Sequence, residues 1–126
     1  MNDKKNKILI VDDDAFLLGM YSMKFEKNGF EVKSSTNGSD AIDILKNGYK
    51  PDVLIFDLIM PTMDGFNFYE NIKKEKLVTG SISVILSNQN TTADVNRAKE
   101  LGINSFIVKA TTIPSEVVDE VNKLLV

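Results

Sequence analysis

Four of the chain's short apolar runs end in side chains capable of chemistry: Asp12-Asp13-Asp14 after residues 8–11, Asp57 after 53–56, Ser87-Asn88 after 82–86, and Lys109 after 106–108. If these ends converge, each pair of ionised carboxylates about 4 Å apart repels by ~4 kcal/mol at an effective dielectric of about 20. Against a total stability of ~5–15 kcal/mol, that repulsion needs relief. Protonation, Lys109 or a bound cation could supply it. A hard divalent ion suits oxygen ligands best, and Mg2+, with Mn2+ as the alternative, takes one or two carboxylates, waters and a phosphoryl oxygen. Lys109 and the Ser87 hydroxyl would then contact phosphate oxygens, and the set reads as a phosphoryl site.

Composition removes most other chemistries. There is no His, Cys or Trp, which excludes imidazole acid–base catalysis, thiol nucleophiles, disulfides and zinc sites built on Cys or His. A chain of 126 residues that is 43% hydrophobic and 26% charged fits one globular domain with one core. With 15 basic and 18 acidic residues, the net charge of -3 leaves no excess to displace counterions from nucleic-acid phosphates, so no direct nucleic-acid partner is expected. Lys4, Lys5 and Lys7 read as a solubilising start, and the apolar run at 8–11 stops at three aspartates. Residues 1–11 are therefore neither a secretory signal nor a membrane span; no membrane partner and a cytoplasmic location are the expectations.

The elements that must position these residues follow from periodicity. Runs at 8–11, 30–32, 53–56, 82–86 and 106–108 are mostly β-branched and several are continuously apolar, as in parallel strands covered on both faces. Between them lie helical patterns. The first carries Leu17, Met20, Tyr21 and Phe25 inward and stops at Asn28-Gly29; the second, about 39–46, has Ala41, Ile42 and Leu45 inward and stops at Asn47-Gly48. A third spans about 65–76, a fourth aligns Val95, Ala98 and Leu101 before Gly102, and the last aligns Val117, Val118, Val121, Leu124 and Leu125. The prediction is an α/β fold: a (βα)5 doubly wound parallel five-stranded sheet, order 2-1-3-4-5, flavodoxin-like. In such sheets ligands bind at the carboxyl ends of the strands, here between the first and third.

Four stretches, in order, resemble the receiver domains of two-component response regulators: Ile8-Leu-Ile-Val-Asp-Asp-Asp14, Val53-Leu-Ile-Phe-Asp-Leu-Ile-Met-Pro-Thr-Met-Asp-Gly65, Val84-Ile-Leu-Ser87 and Phe106-Ile-Val-Lys109. The resemblance covers essentially the whole chain, and the strand-Asp-x-x-Met-Pro-x-x-Asp-Gly segment is its most specific part. It implies that Asp57 accepts a phosphoryl group from a phosphohistidine on a histidine kinase or histidine phosphotransfer protein. It also implies that Asp13, Asp57 and the Ile59 backbone carbonyl ligate Mg2+, with Asp12 acting through water or as an anchor. Lys109 would pair with Asp57 and then with the phosphoryl group, Ser87 would bond a phosphoryl oxygen, and Phe106 holds the place of a rotating aromatic switch. The output would be a changed surface on the fourth helix, fifth strand and fifth helix, regulating an effector or forming a phosphorylation-dependent homodimer. With no histidine, this chain cannot be the donor. Residues 1–126 are read as one receiver domain without an output domain, a signalling switch rather than an enzyme with independent turnover.

Simpler readings stand beside these. Asp14 reads as the N-cap of the first helix, Asp64-Gly65 as a turn into the third with Gly chosen for backbone freedom, and Pro61 as a loop-shaping residue. Asp12 and Asp13 could be solvated turn carboxylates, Asp57 a strand-ending turn residue, Ser87 a loop or capping hydroxyl, and Lys109 a strand-end lysine in water. Phe106 could be core. Three positions depart from the family pattern or tune it. Ala110 follows Lys109 where receivers usually carry Pro after a cis bond; cis before Ala costs ~3 kcal/mol, so the site bears that strain or the loop takes another path. Asn88 replaces a small residue and narrows access, while Ile59 and Gln89 stand where the family tunes loss of the phosphoryl group. Two other functions compete: a small haloacid-dehalogenase-type phosphatase using Asp12-x-Asp14, which leaves Asp57 without a role, and a degenerate receiver acting only as a binding module.

Overall fold

The computed structural model describes residues 5–126; Lys4 of the solubilising start lies outside them. The order is β1 (Lys7–Val11), α1 (Ala15–Lys27), β2 (Glu31–Ser35), α2 (Gly38–Lys46), β3 (Val53–Phe56), α3 (Gly65–Lys74), β4 (Ile82–Ser87), α4 (Thr92–Glu100), β5 (Ser105–Val108) and α5 (Pro114–Leu125). All strand pairs are parallel, in the order β2-β1-β3-β4-β5. The predicted fold and strand order are those observed.

Alternation along the strands divides the apolar residues into two layers rather than one core. Ile8, Ile10, Ile55 and Leu86 pack with Leu18, Tyr21 and Phe25 of α1 and Val117, Val118 and Val121 of α5. Leu9, Val11, Phe56 and Ile85 pack with Ala41 and Leu45 of α2, Phe68 and Ile72 of α3 and Ala98 of α4. The interior strands β1, β3 and β4 are buried almost throughout, which explains their continuous apolar runs, whereas β2, at an edge, is mostly exposed. Phe30 precedes β2 instead of starting it, meeting Phe25 edge to face at 5.0 Å between centroids. That contact adds about 0.5–1.5 kcal/mol to the area it buries.

Helix ends follow their expected signals, with Gly29, Gly48 and Gly102 at φ of +89°, +102° and +78° behind α1, α2 and α4. One inward assignment changes. Met20 is 39% exposed, because the buried stripe of α1 runs Leu18, Tyr21, Phe25, and Met20 falls with Phe16 and Met23 on the other side. Ile42, like Leu17, Leu101, Leu124 and Leu125, packs inward as a partly buried residue at the margin of its layer. Among the described residues no helix is long and apolar enough to cross a membrane.

Candidate functional site

The sheet's hydrogen bonds place the acidic residues. Asp57 follows β3 directly, and its N–H donates to the Val11 carbonyl at 3.1 Å, setting it beside the end of β1. Asp12, one residue past β1, donates its N–H to the Ser35 carbonyl at 3.0 Å. One carboxylate oxygen from each of Asp12, Asp13 and Asp57 lies within 4.8 Å of the other two. Asp12 is 2% and Asp57 6% exposed, while Asp13 opens to solvent.

Lys109 Nζ donates to Asp57 Oδ2 at 2.6 Å and to Asp12 Oδ2 at 2.7 Å, so one ammonium bridges the two buried carboxylates. Their other oxygens are also held: Asp57 Oδ1 accepts from the Ile59 N–H at 3.2 Å, and Asp12 Oδ1 from the Asp14 N–H at 2.9 Å. Burial pushes the Asp12 carboxyl above the usual carboxylate range, with the Asp57 charge adding to it and the Lys109 hydrogen bond opposing without reversing it. Burial pulls Lys109 down, but hydrogen bonds and charge from Asp12 and Asp57 outweigh it and hold the ammonium above the usual lysine range. At formal charge, three carboxylates against one ammonium leave two negative charges in a cluster of oxygen ligands exposed on the Asp13 side. That donor set fits a hard divalent cation such as Mg2+.

The remaining candidates are placed as follows. Ser87 ends β4, fully buried, and its hydroxyl oxygen accepts the Gln89 N–H at 3.1 Å; among the described residues it makes no hydrogen bond to the carboxylates. Ile59 is 55% exposed at the edge of the site. Phe106 is half-buried on β5 and packs against the layer containing Phe66 and Ala98. Asp14 caps α1, its Oδ1 accepting the Phe16 and Leu17 amides at 3.1 Å each, which leaves it outside the cluster. Gly65 owes its identity to space rather than to an unusual φ: a Cβ there would collide with the Asp57 carbonyl oxygen and stand 2.7 Å from Leu58 Cα. The start of α3 is thereby pressed against the backbone of the central aspartate, and the Gly65 N–H donates to the Leu58 carbonyl at 2.9 Å.

The loop after Lys109 takes the second of its two predicted courses. No described peptide bond is cis, and Lys109–Thr111 forms a single 3-10 turn. Asn88 supplies a contact that spacing alone does not disclose: its Oδ1 accepts the Ala110 N–H at 2.7 Å. The only sequence signal was that both positions depart from the family pattern.

The response regulator receiver domain family matches residues 8–122. The chain is 30% identical over 118 residues to response regulator SaeR of Staphylococcus aureus, covering 94% of this chain and 50% of that protein. It thus spans about half the length of the curated relatives it matches. Among solved structures, the receiver domain protein (CheY-like) from Methanospirillum hungatei superposes with a TM-score of 0.87 at 23% identity, covering 97% of this chain and 94% of that one. The Francisella response regulator 1452 receiver domain gives 0.84 at 26% identity, covering 95% and 96%. Matched through 8–122 and sharing this sheet order, the chain belongs to the response regulator receiver domain family of two-component systems.

Proposed function

We propose that Asp57 is the phosphoacceptor of a two-component relay. The observation that carries this reading is the Lys109 bridge to two buried carboxylates, which holds a cation against the nucleophile, with carboxylate oxygens of Asp12, Asp13 and Asp57 gathered within 4.8 Å of one another beside it. An Asp57 carboxylate oxygen attacks the phosphorus of a phosphohistidine on a histidine kinase or phosphotransfer protein. The O–P bond forms as the P–N bond breaks, and the leaving imidazole nitrogen keeps the electron pair and takes up a proton from water. Asp13, Asp57 and the Ile59 carbonyl would hold Mg2+, with Asp12 anchoring its waters. When bound, the ion supplies neutralising charge for the transferring group.

Lys109 moves from the carboxylate to a phosphoryl oxygen, a charge-assisted bond of the same kind. The Ser87 hydroxyl exchanges its Gln89 partner for a phosphoryl oxygen and draws the β4–α4 loop inward. That shift biases a two-state equilibrium read out on α4, β5 and α5, to which an effector or a second copy responds. Nothing in this sequence of steps requires turnover of an independent substrate.

Intact-mass measurement after acetyl phosphate with Mg2+ tests the reading. One phosphoryl adduct on the wild type and none on Asp57→Asn is the expected result. No adduct, with beryllofluoride and Mg2+ also failing to bind, would leave only a binding module. Turnover of a generic phosphomonoester, lost in Asp12→Asn but kept in Asp57→Asn, would instead favour the phosphatase.

A further inference from the structure

We propose that Asn88 is a positioning residue that sets Lys109 against Asp57 by holding the Ala110 N–H; this rests on the phosphoacceptor reading above. The backbone ladder between β4 and β5 ends at the pair Ser87 and Val108. Immediately beyond it the two strands must part, because one chain turns toward α4 and the other enters the 3-10 turn at Lys109–Thr111. Lys109 therefore leaves the sheet at the residue that has to place an ammonium 2.6 Å from Asp57 and 2.7 Å from Asp12. The first N–H groups of such a turn have no partner within it. The Asn88 side chain satisfies the one at Ala110, at 2.7 Å, and so adds a side-chain rung one step past the last backbone rung.

The residue types make this rung specific to the pair. A proline at 110 has no N–H, so the bond requires a non-proline residue there, as Ala110 is, and a side chain with an acceptor at Asn88's reach to receive it. The rung also ties together the two loops that the proposed chemistry moves. Asn88 directly follows Ser87, whose hydroxyl accepts the Gln89 N–H, and Ala110 directly follows Lys109. An inward shift at Ser87 is thus felt at Lys109 through one hydrogen bond instead of through solvent.

The sign of the effect separates this role from a steric one. If Asn88 only narrows access, Asn88→Ala speeds phosphorylation and tightens beryllofluoride binding. If it positions Lys109, Asn88→Ala weakens beryllofluoride affinity in Mg2+ roughly three- to tenfold, the range of one hydrogen bond. In a Lys109→Ala background the Asn88→Ala loss vanishes, because its route of action is gone. Affinity equal to or tighter than wild type in Asn88→Ala, or an undiminished loss in the Lys109→Ala background, would overturn the proposal. A wild type that takes neither phosphoryl group nor beryllofluoride sinks the phosphoacceptor reading instead. The Lys109 side-chain Cε resonance in the unmodified protein then decides this one: Asn88→Ala shifts it if the rung positions the lysine and leaves it in place if it does not.

Discussion

Asp12 carries the electrostatic tension of the site. Its carboxyl is raised above an ordinary value of 3.8, chiefly by burial, so the ionised form is less favourable in the fold than in the unfolded chain. The sign follows: stability falls as pH rises from below 3.8 through the folded value. Asp12→Asn, fixed neutral and still able to accept the Asp14 N–H, is expected to unfold at equal or higher urea concentration than wild type at pH 7 in chelator. The gap closes as the pH is lowered toward 3.8. A variant clearly less stable at pH 7 would show that the Lys109 bridge outweighs desolvation. In the proposed phosphoacceptor role of Asp57, Ile59, apolar and 55% exposed beside it, would shield the acyl phosphate, so Ile59→Asn should release phosphate several-fold faster after acetyl-phosphate loading. Faster release from the Ile protein would refute shielding.

Among the elements, α3 is the one whose placement the site depends on most directly. Its first residue packs against the Asp57 carbonyl, and its N-cap, Asp64, accepts the Asn67 N–H at 2.9 Å. Gly65→Ala forces helix and strand end apart; the expected cost is about 1–3 kcal/mol in urea unfolding, together with a shift of the Asp57 amide resonance. Gly19, inside α1 with open space where a Cβ would go, is the control: Gly19→Ala should gain about 0.5–1 kcal/mol and leave the Asp57 amide in place. Equal behaviour of the two variants would mean that the approach at Gly65 is relieved by small shifts. The β4 and β5 ends are joined differently, by backbone up to Ser87 and Val108 and by the Asn88 side chain beyond.

At the scale of the molecule, the parallel sheet gathers residues distant in sequence at one edge, where negative charge exceeds what Lys109 neutralises. A divalent ion binding there stabilises only the folded state. At ten times its dissociation constant, Mg2+ should add about 1.4 kcal/mol, raising the melting temperature by roughly 5 °C. The shift should disappear in Asp57→Asn, and its persistence there would place the ion elsewhere. The apolar runs and their spacing by themselves determined a doubly wound parallel sheet, because continuous β-branched segments joined by helices admit few right-handed arrangements, and the expected strand order is one of those few. The residue types at the run ends likewise named Asp12, Asp13, Asp57, Ser87 and Lys109, since polar groups closing buried strands are conspicuous in any reading. Helix phase was less legible: Leu17, Leu18 and Met20 are all apolar, and only packing against the sheet selects Leu18 for burial. What only the tertiary structure decided is which atoms meet. Lys109 bridges two carboxylates, Gly65 yields its Cβ to the Asp57 backbone, and Asn88 reaches Ala110. Such contacts depend on ångström-scale placement of segments 8 to 97 residues apart in sequence, information that periodicity, a property of neighbours, does not hold.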